Sequence, residues 1–559
     1  MAARRWILPA AVTGVGAFYL ALFALAPAHL PALNVDSEGY LAVARWVAGA
    51  GRTPQQVSAY YAFGYGLPLA IPYLFTTSIH AVYHYAVALN VLAGALMVLP
   101  LRALAREAFA LPPGRATLAA AGAAVYPGVA LQVGQVWPLV PLALVTSWYA
   151  LALLRLLREP SARRALGAAV LAVALFALHH RMVPVPVVTA FALLHVTAGR
   201  SRKTVVPAAA VLLVGCAAVL AVDRAVIDAL YPLGTGALGI SRGVAVSGAG
   251  RFARILVGEL WYLAVAPVGL VAVGVIAVLR HRAPGMRALG LVMTVALVGT
   301  AVLGALQLEG VGPLTRTRID YLAYGRYVDP YAPLFLAAGL AALLGRRPRV
   351  AAAGALGVAG ATVAQVVAQG AISQAGAYQK AALPGLLGAD ALFGGAGPSF
   401  GRSITYVGIA VLAAAAAIAV VLLAGRRPVA AATLPIVLLA TLGALGAAAA
   451  LRSYYSFIDT YYARLPAVLR AYPPGAAVAF VARGETVEAM DRLQMFEPGR
   501  PVRALRSGGE AVRDLPPLAF GPAGLRTIAG SPARQVALLD VRGLPPQALY
   551  ELRSISSIR

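Results

Sequence analysis

The first two acidic residues of the chain, Asp36 and Glu38, follow the first long apolar run, and their carboxylates could carry out a reaction. Only twelve acidic residues occur as far as Asp459, so this part of the chain uses negative charge sparingly. Because a charge beside hydrocarbon is costly to keep, an ionisable pair in such a place predicts a functional site. A partly buried carboxylate with a raised pKa can accept a proton from a hydroxyl group. We therefore predict that Asp36 and Glu38 form the catalytic centre, with one of them as the general base.

The local conformation decides how many of the two carboxylates can act. In an extended segment, residues two apart face the same way, whereas on a helix their side chains diverge by about 200°. On a helix, therefore, only one of them would be catalytic. The sequence also allows an ordinary role for the pair, either as loop charges or as the N-cap of a helix that starts at Gly39.

Basic and aromatic residues recur in the segments on the same predicted side of the membrane as the acidic pair. An anion such as a phosphodiester is bound well by guanidinium groups and phenol hydroxyls. Most such residues snorkel to lipid headgroups or form aromatic belts. Two groups favour binding, namely residues 179–181, in a tight outer turn where positive charge is disfavoured, and the dense motif at 324–330. The candidates for anion binding are Arg45, His179, His180, Arg181, Tyr324, Arg326 and Tyr327.

The sequence lacks the spacings that are typical of metal and nucleotide sites. His179 and His180 are adjacent, so their side chains point apart, and the single cysteine, Cys216, lies in an apolar run. Without a cluster of histidine and cysteine, no zinc site is predicted. There is no P-loop signature, so an ATP-driven pump is not indicated. We expect neither a metal nor a cofactor.

The composition is that of a polytopic membrane protein. The chain has 559 residues, of which 60% are hydrophobic and 12% are charged. A formal charge of +26 could suggest nucleic acid, but the basic residues form small clusters between apolar runs. This pattern is typical of cytoplasmic loops and does not favour a nucleic-acid groove. Membrane lipids, and no nucleic acid, are therefore the expected surroundings.

Thirteen membrane spans follow from a requirement of about 20 apolar residues per span and from the concentration of Lys and Arg in cytoplasmic loops. They make up the first predicted domain, 1–451, in the cytoplasmic membrane, with the N-terminus on the cytoplasmic side. The first outer loop, 29–80, holds the acidic pair, a helical piece near 39–50 and an interfacial apolar piece at 66–79. The predicted spans are 6–28, 81–101, 116–134, 138–154, 165–179, 183–198, 204–222, 260–279, 288–306, 329–344, 350–370, 403–424 and 428–451.

The composition changes after the last span. Residues 452–559 contain fourteen arginines together with several acids and prolines. Strand-like runs occur at 477–482 and 536–541, and amphipathic pieces near 453–471, 486–496 and 545–552. This pattern predicts a small α/β domain. An odd number of spans places it outside the membrane, on the side of the acidic pair.

The layout of residues 1–345 resembles the GT-C superfamily of integral membrane glycosyltransferases. An outward first span is followed at once by acids, by an outer loop with interfacial helices and by a second span that ends in Leu-Arg-Ala-Leu-Ala-Arg. A late Gly-Arg-Tyr-x-x-Pro-x-x-Pro, at residues 325–333, precedes an apolar run. The superfamily includes protein O-mannosyltransferases, lipid A aminoarabinose transferases and actinobacterial mannosyl- and arabinofuranosyltransferases. Asp36-Ser37-Glu38 differs from the commoner adjacent acid pair by one inserted residue.

The resemblance implies a membrane bundle of GT-C type whose donor is a sugar linked to polyprenyl phosphate. It implies an inverting transfer of one sugar, with mannose or arabinofuranose expected, to a hydroxyl on a glycan, lipid, protein or secreted peptide. Asp36 or Glu38 would be the base, and the basic and aromatic candidates would hold the donor phosphate. The alternatives are a transporter or flippase of a lipid-linked sugar or amphipathic metabolite, and a scaffold of cell-envelope synthesis. Charges lie at the ends of the spans rather than their centres, which favours the enzyme over the transporter.

Overall fold

The structure of the protein is a computed structural model that describes most of the apolar part of the chain and the central strands of its C-terminal part. The described residues are 2–26, 35–52, 62–197, 205–231, 249–283, 285–310, 320–345, 348–369, 373–376, 383–392, 402–405, 427–452, 455, 469, 472–473, 476–481, 502–505, 518–528, 531–539 and 547–552.

Long apolar helices make the protein a multi-pass membrane protein, as predicted. Within the described residues, six helices are long and apolar enough to cross a bilayer, and a bent pair makes a seventh if it is counted as one span. Shorter apolar helices occur at His180–Val196, Asp329–Leu344 and Leu356–Val367. The number thirteen stays a prediction. The six helices are Trp6–Leu25, Ile79–Phe109, Leu139–Arg158, Val206–Leu230, Met286–Leu308 and Pro428–Leu451.

The α-helices are numbered in chain order. They are α1 Ala2–Leu25, α2 Val35–Val47, α3 Gly66–Tyr73, α4 Ile79–Leu96, α5 Val98–Phe109, α6 Pro113–Ala124, α7 Pro127–Ala130, α8 Leu139–Arg158, α9 Ala162–Leu178, α10 Pro184–Thr197, α11 Val206–Leu230, α12 Ala249–Val265, α13 Leu270–Leu279, α14 Met286–Gly310, α15 Ala332–Leu344, α16 Pro348–Gln369, α17 Leu387–Leu392 and α18 Pro428–Leu445.

Two predicted spans are not single continuous helices, and each contains a proline close to the break. The span 116–134 ends at Ala124, and Pro127, which has no backbone N–H, starts the short helix α7. The span 260–279 breaks between α12 and α13, which meet at 93°. Pro267 lies in that break, and Val268 and Gly269 adopt positive φ values of 51° and 78°.

The predicted span at 403–424 falls almost wholly outside the described residues. Its first residues, with Arg402, form a short strand instead. Strand β2, Arg402–Thr405, pairs antiparallel with β1, Ser373–Gly376. The predicted bundle was all-helical, so this small sheet is a feature that the apolar pattern did not indicate.

The chain divides into two compact units. The first comprises residues 1–27, 87–222 and 238–453, and the second comprises residues 28–86, 223–237 and 454–559. In the first unit, α13 packs so closely on α15 that a Cβ atom at Gly274 would overlap the backbone carbonyl of Phe335. Helix α15 is buried along its whole length, so it forms the centre of this unit.

The second unit contains a helical part and a sheet. Helices α2 and α3 pack tightly, because a Cβ atom at Gly66 would lie 2.6 Å from the Val43 side chain. The sheet has the strand order β4-β3-β5-β8-β7-β6, in which β3 is parallel to β4 and β5 and the other pairs are antiparallel. The strands are β3 Val478–Val481, β4 Val502–Leu505, β5 Leu518–Pro522, β6 Thr527–Ile528, β7 Ser531–Leu539 and β8 Gln547–Leu552.

The predicted class, a helical membrane bundle with a small α/β part, is confirmed. The strand-like run at 477–482 is β3, and the run at 536–541 overlaps β7. The amphipathic piece at 545–552 is a strand, β8, which pairs on both sides and buries Leu549 and Tyr550. The piece at 486–496 and most of the piece at 453–471 fall outside the described residues.

Candidate active site

The acidic pair lies in the first turn of α2. The helix begins at Val35, four residues before the predicted start, so Asp36 and Ser37 are not caps for a helix that starts at Gly39. On this helix the side chains of Asp36 and Glu38 diverge by about 200°. Asp36 is partly exposed, whereas Glu38 is completely buried. The positive end of the helix dipole stabilises carboxylates in a first turn.

Arg45 lies at the other end of the same helix. Its Nε donates a hydrogen bond of 3.0 Å to the carbonyl oxygen of Ala50, just beyond the helix terminus. A cation at this end complements the helix dipole. Burial raises the pKa of Tyr73 to about 12, and the neighbouring Arg45 opposes that shift. Arg45 therefore stabilises the end of α2 and lies near Tyr73 of α3. Its role in phosphate binding stays a prediction.

Five of the predicted anion-binding residues come together in the first unit. The Arg181 guanidinium lies 3.2 Å above the centre of the Tyr327 ring, and the Tyr327 and Tyr324 ring centres are 4.4 Å apart. Arg326 lies 4.2 Å above the Trp137 ring and 5.5 Å from the Tyr324 centre. Such cation–π contacts hold a guanidinium by its face and leave N–H groups at its edge for hydrogen bonds. We call Arg181, Arg326, Tyr324, Tyr327, Trp137 and His179 the basic cluster.

His179 enters the basic cluster at the end of α9. Its Nδ1 accepts a hydrogen bond of 3.2 Å from the backbone N–H of Arg181, which closes the turn. Burial of the ring, together with the charges of Arg181, His180 and Arg326, holds the pKa of His179 well below its usual range. The imidazole is therefore neutral at pH 7. His180 packs its ring on Phe176, with 5.7 Å between the ring centres.

Asp329 anchors the segment that carries Arg326 and Tyr327. Its carboxylate is completely buried and accepts hydrogen bonds from the Tyr126 hydroxyl at 2.8 Å and the Tyr262 hydroxyl at 3.0 Å. The Asp329 backbone N–H donates to the carbonyl of Gly325, which closes the turn. A Cβ atom at Gly325 would overlap the Tyr262 ring, so the tight approach requires glycine. This network fixes the start of α15 and hence the presentation of the motif.

Sequence reasoning missed several residues of the site. The sequence does not indicate that Trp137 lies near Arg326, nor that Gln307 is the partner of Arg181, whose Nε donates to it at 2.8 Å. Asp329 was noted in its motif without its phenol partners. Glu259, a completely buried acid on α12, had no signal beyond its being one of few acids in the apolar part of the chain.

The arrangement favours an anion as ligand. Two guanidinium groups, held against aromatic rings, match the geometry and charge of a phosphate group. The described residues contain no group of three or more His, Cys, Asp or Glu side chains that could hold a metal ion. Fold and cluster together define a multi-pass membrane protein with a basic site suited to an anionic ligand.

The fold is similar to that of ArnT from Cupriavidus metallidurans over almost the whole of both chains. The apo structure of ArnT matches with a TM-score of 0.53 at 14% identity, covering 98% of this chain and 98% of ArnT. The structure of ArnT bound to undecaprenyl phosphate matches with a TM-score of 0.54 at 14% identity, covering 96% and 97%. No protein-family profile and no curated protein sequence matches this chain. At this identity the likeness establishes the fold, which is the one that the sequence predicted.

Proposed function

We propose that the protein is an inverting glycosyltransferase that moves one sugar from polyprenyl phosphate to a hydroxyl acceptor at the outer face of the cytoplasmic membrane. The observation that carries the proposal is the pair of guanidiniums, Arg181 and Arg326, held on aromatic rings in a chain with the ArnT fold. One of the similar ArnT structures holds undecaprenyl phosphate, the class of lipid that the proposed donor contains. Mannose and arabinofuranose are the proposed sugars.

In this proposal Asp36 is the general base. Its side chain is partly exposed, so a substrate hydroxyl can approach it, whereas the buried Glu38 is less accessible. Asp36 takes the proton of the acceptor hydroxyl as that oxygen attacks the anomeric carbon. The bond from the anomeric carbon to the phosphate oxygen breaks, and its electron pair leaves with the polyprenyl phosphate. A single displacement of this kind inverts the anomeric configuration.

The basic cluster would hold the phosphate of the donor and stabilise it as it leaves. Negative charge on the phosphate grows during the transfer, so guanidinium groups bind the transition state more tightly than the donor. Neutral His179 adds no charge but accepts the Arg181 backbone N–H, and so orients the arginine. A donor with one phosphate needs no metal to bridge a diphosphate. We therefore propose that the reaction proceeds without a metal cofactor.

The acceptor is proposed only by class. It carries a hydroxyl group and belongs to a glycan, a lipid, a secreted protein or a secreted peptide. The C-terminal sheet of the second unit is a candidate for acceptor recognition, placed outside the membrane by the predicted topology. A flippase would instead move the lipid-linked sugar without forming a new glycosidic bond, so a covalent product separates the two functions.

The test is transfer from undecaprenyl-phosphate mannose and undecaprenyl-phosphate arabinofuranose by the purified protein in nanodiscs, with excess chelator. We expect transfer to continue in the chelator. Asp36→Asn should lower the rate by roughly 100-fold or more, and Glu38→Gln by less. Undecaprenyl phosphate should still bind both variants, which shows that they are folded. If both variants keep the wild-type rate, the proposed catalytic centre is wrong.

A further inference from the structure

Glu259 is a buried acid that the proposed reaction does not use. Its side chain is 0% exposed, on helix α12 of the bent pair. Neither of its carboxyl oxygens has a hydrogen-bond partner among the residues that the structure describes. A buried polar group without a partner is rare in native structures, and its presence requires an explanation such as a ligand or a catalytic role.

The carboxyl group of Glu259 lies against the basic cluster. A Cβ atom at Gly304 would be 3.0 Å from Oε1 of Glu259 and 2.7 Å from the Tyr327 ring, so glycine leaves room between the two. The same ring carries the Arg181 guanidinium, 3.2 Å from its centre. Arg181 is also the charge that acts on the Glu259 carboxyl. The acid therefore belongs to the same small region as the proposed phosphate site.

The energetic cost of this arrangement indicates a function. An orphaned buried carboxyl in an apolar helix lowers stability, and a methionine of similar size would pack there without that penalty. Arg181 does not satisfy the carboxyl oxygens, since its Nε donates to Gln307 and no hydrogen bond to Glu259 occurs in the described part of the chain. Both acceptor oxygens of Glu259 thus stay without a hydrogen bond among the described residues, close to the charge of Arg181.

The chemistry of the carboxyl oxygens selects the ligand group. In either protonation state they leave acceptor positions that only a hydrogen-bond donor can fill, and the oxygens of a phosphodiester are not donors. A ligand that places its phosphate at Arg181 must therefore offer hydrogen-bond donors to Glu259. The hydroxyl groups of a sugar joined to that phosphate are donors of this kind, and an unmodified polyprenyl phosphate has none.

We propose that Glu259 is a specificity-determining residue that accepts hydrogen bonds from the hydroxyl groups of the donor sugar, an inference that rests on the proposed function. The basic cluster holds the phosphate, and Glu259 reads the group attached to it. The protein thereby distinguishes the sugar-loaded donor from the spent polyprenyl phosphate, which has the same lipid and a phosphate but no sugar.

The test compares three ligands on the wild type and two variants. Dissociation constants of undecaprenyl phosphate, undecaprenyl-phosphate mannose and undecaprenyl-phosphate arabinofuranose are measured for the wild type, Glu259→Met and Glu259→Gln in nanodiscs. Glu259→Met should weaken binding of the preferred sugar donor by about 10- to 100-fold, and Glu259→Gln by less, because the amide keeps one acceptor. Binding of undecaprenyl phosphate should change by less than about twofold. Because the orphaned group is removed, Glu259→Met should also raise the Tm.

Thr189→Val is the matched control. Thr189 is completely buried in the same unit, but its hydroxyl is bonded to the Tyr149 hydroxyl at 2.8 Å. The control should lower the Tm and leave the ratio of the affinities unchanged. A lower Tm in Glu259→Met with unchanged ligand affinities would mean a structural role and would overturn the proposal. Equal weakening of all three ligands would also overturn it, since the acid would then act on the phosphate.

The wild type separates this inference from the function on which it rests. If it binds none of the three lipids, the proposed function fails. If it binds undecaprenyl phosphate and transfers sugar, but Glu259→Met keeps the wild-type preference for the sugar donor, only the role of Glu259 is wrong.

Discussion

Two buried acids in the first unit differ in how their oxygens are used. Asp329 and Glu259 are both completely enclosed, and both lie beside the segment that carries Arg326 and Tyr327. The two oxygens of Asp329 accept bonds from Tyr126 and Tyr262, and the Tyr262 oxygen accepts a further bond from the backbone N–H of Gly385. For Glu259, no such partner occurs among the described residues.

The difference separates a group that builds the site from a group that serves a ligand. A buried carboxylate with matched donors holds its surroundings in one arrangement, because any movement breaks two strong hydrogen bonds. A buried carboxyl with unused acceptors contributes nothing to folding, so selection for stability alone would remove it. Opposite effects of mutation on stability are therefore the first way to test the comparison.

The largest expected effect is the loss of stability when Asp329, the acid with hydrogen-bond donors, is replaced. Asp329→Leu should destabilise the protein by about 2–6 kcal/mol, because the buried hydroxyls of Tyr126 and Tyr262 would lose the acceptor that they share. The measurement is the shift of thermal unfolding in detergent, and the yield of folded protein should fall with it. The prediction for Glu259→Met has the opposite sign, so the two variants together test the comparison.

A combined variant shows whether the loss comes from the phenols. Tyr126→Phe added to Asp329→Leu should recover part of the stability, since removing both partners of a buried bond is far cheaper than removing one. Tyr262→Phe is a poorer choice, because it would also leave the backbone N–H of Gly385 without its acceptor. If Asp329→Leu unfolds at the wild-type temperature, the network does not anchor the motif.

The sequence predicted the contents of the site better than its assembly. Asp36 and Glu38 are neighbours in the chain, so their presence near a span end was readable without knowing any contact. Their geometry was not, because whether they diverge depends on α2 starting at Val35 rather than at Gly39. For the basic cluster, the turn at 179–181 and the motif at 324–327 were both found from local residue types.

The partners of those residues come from other helices and have no local signal. Trp137 precedes α8, Gln307 lies near the end of α14 and Glu259 lies on α12, so only the packing of the helices brings them to the cluster. The length of an apolar run has a similar limit as a predictor of the fold. The run at 260–279 predicts one span, although the chain bends by 93° there, at Pro267 and at Gly269 with its positive φ.

The second prediction tests whether the basic cluster, which lies beside Glu259, is the phosphate site. Arg181→Ala and Arg326→Ala should each weaken the binding of undecaprenyl phosphate by about 10- to 100-fold, since each removes charge-assisted hydrogen bonds. Arg181→Lys should give an intermediate loss, because an ammonium keeps the charge but not the planar fork that stacks on Tyr327. Binding is measured at two salt concentrations, because charge contacts weaken with salt.

Arg155→Ala is the control for the arginine variants. Arg155 forms an exposed ion pair with Glu107, 2.5 Å between Nη2 and Oε1, at the end of the chain segment predicted to face the cytoplasm. Its loss should leave the affinity for undecaprenyl phosphate unchanged. The basic cluster would not be the phosphate site if Arg155→Ala and Arg181→Ala reduced the affinity equally.

The smallest expected effect concerns His179. Its neutral imidazole is intermediate between Asp329 and Glu259, because it accepts one hydrogen bond, from the backbone N–H of Arg181. Its pKa in the folded protein lies below the ordinary value of 6.5, so the unfolded chain binds the proton first as the pH falls. Its contribution to stability is thus present above about pH 6.5 and is lost progressively below it. His179→Gln should flatten the fall of stability between about pH 6.5 and 5 by at most one proton. An unchanged slope in His179→Gln would mean that His179 takes up its proton as readily in the folded protein as in the unfolded chain. The basic cluster would then gain a third positive charge as the pH falls.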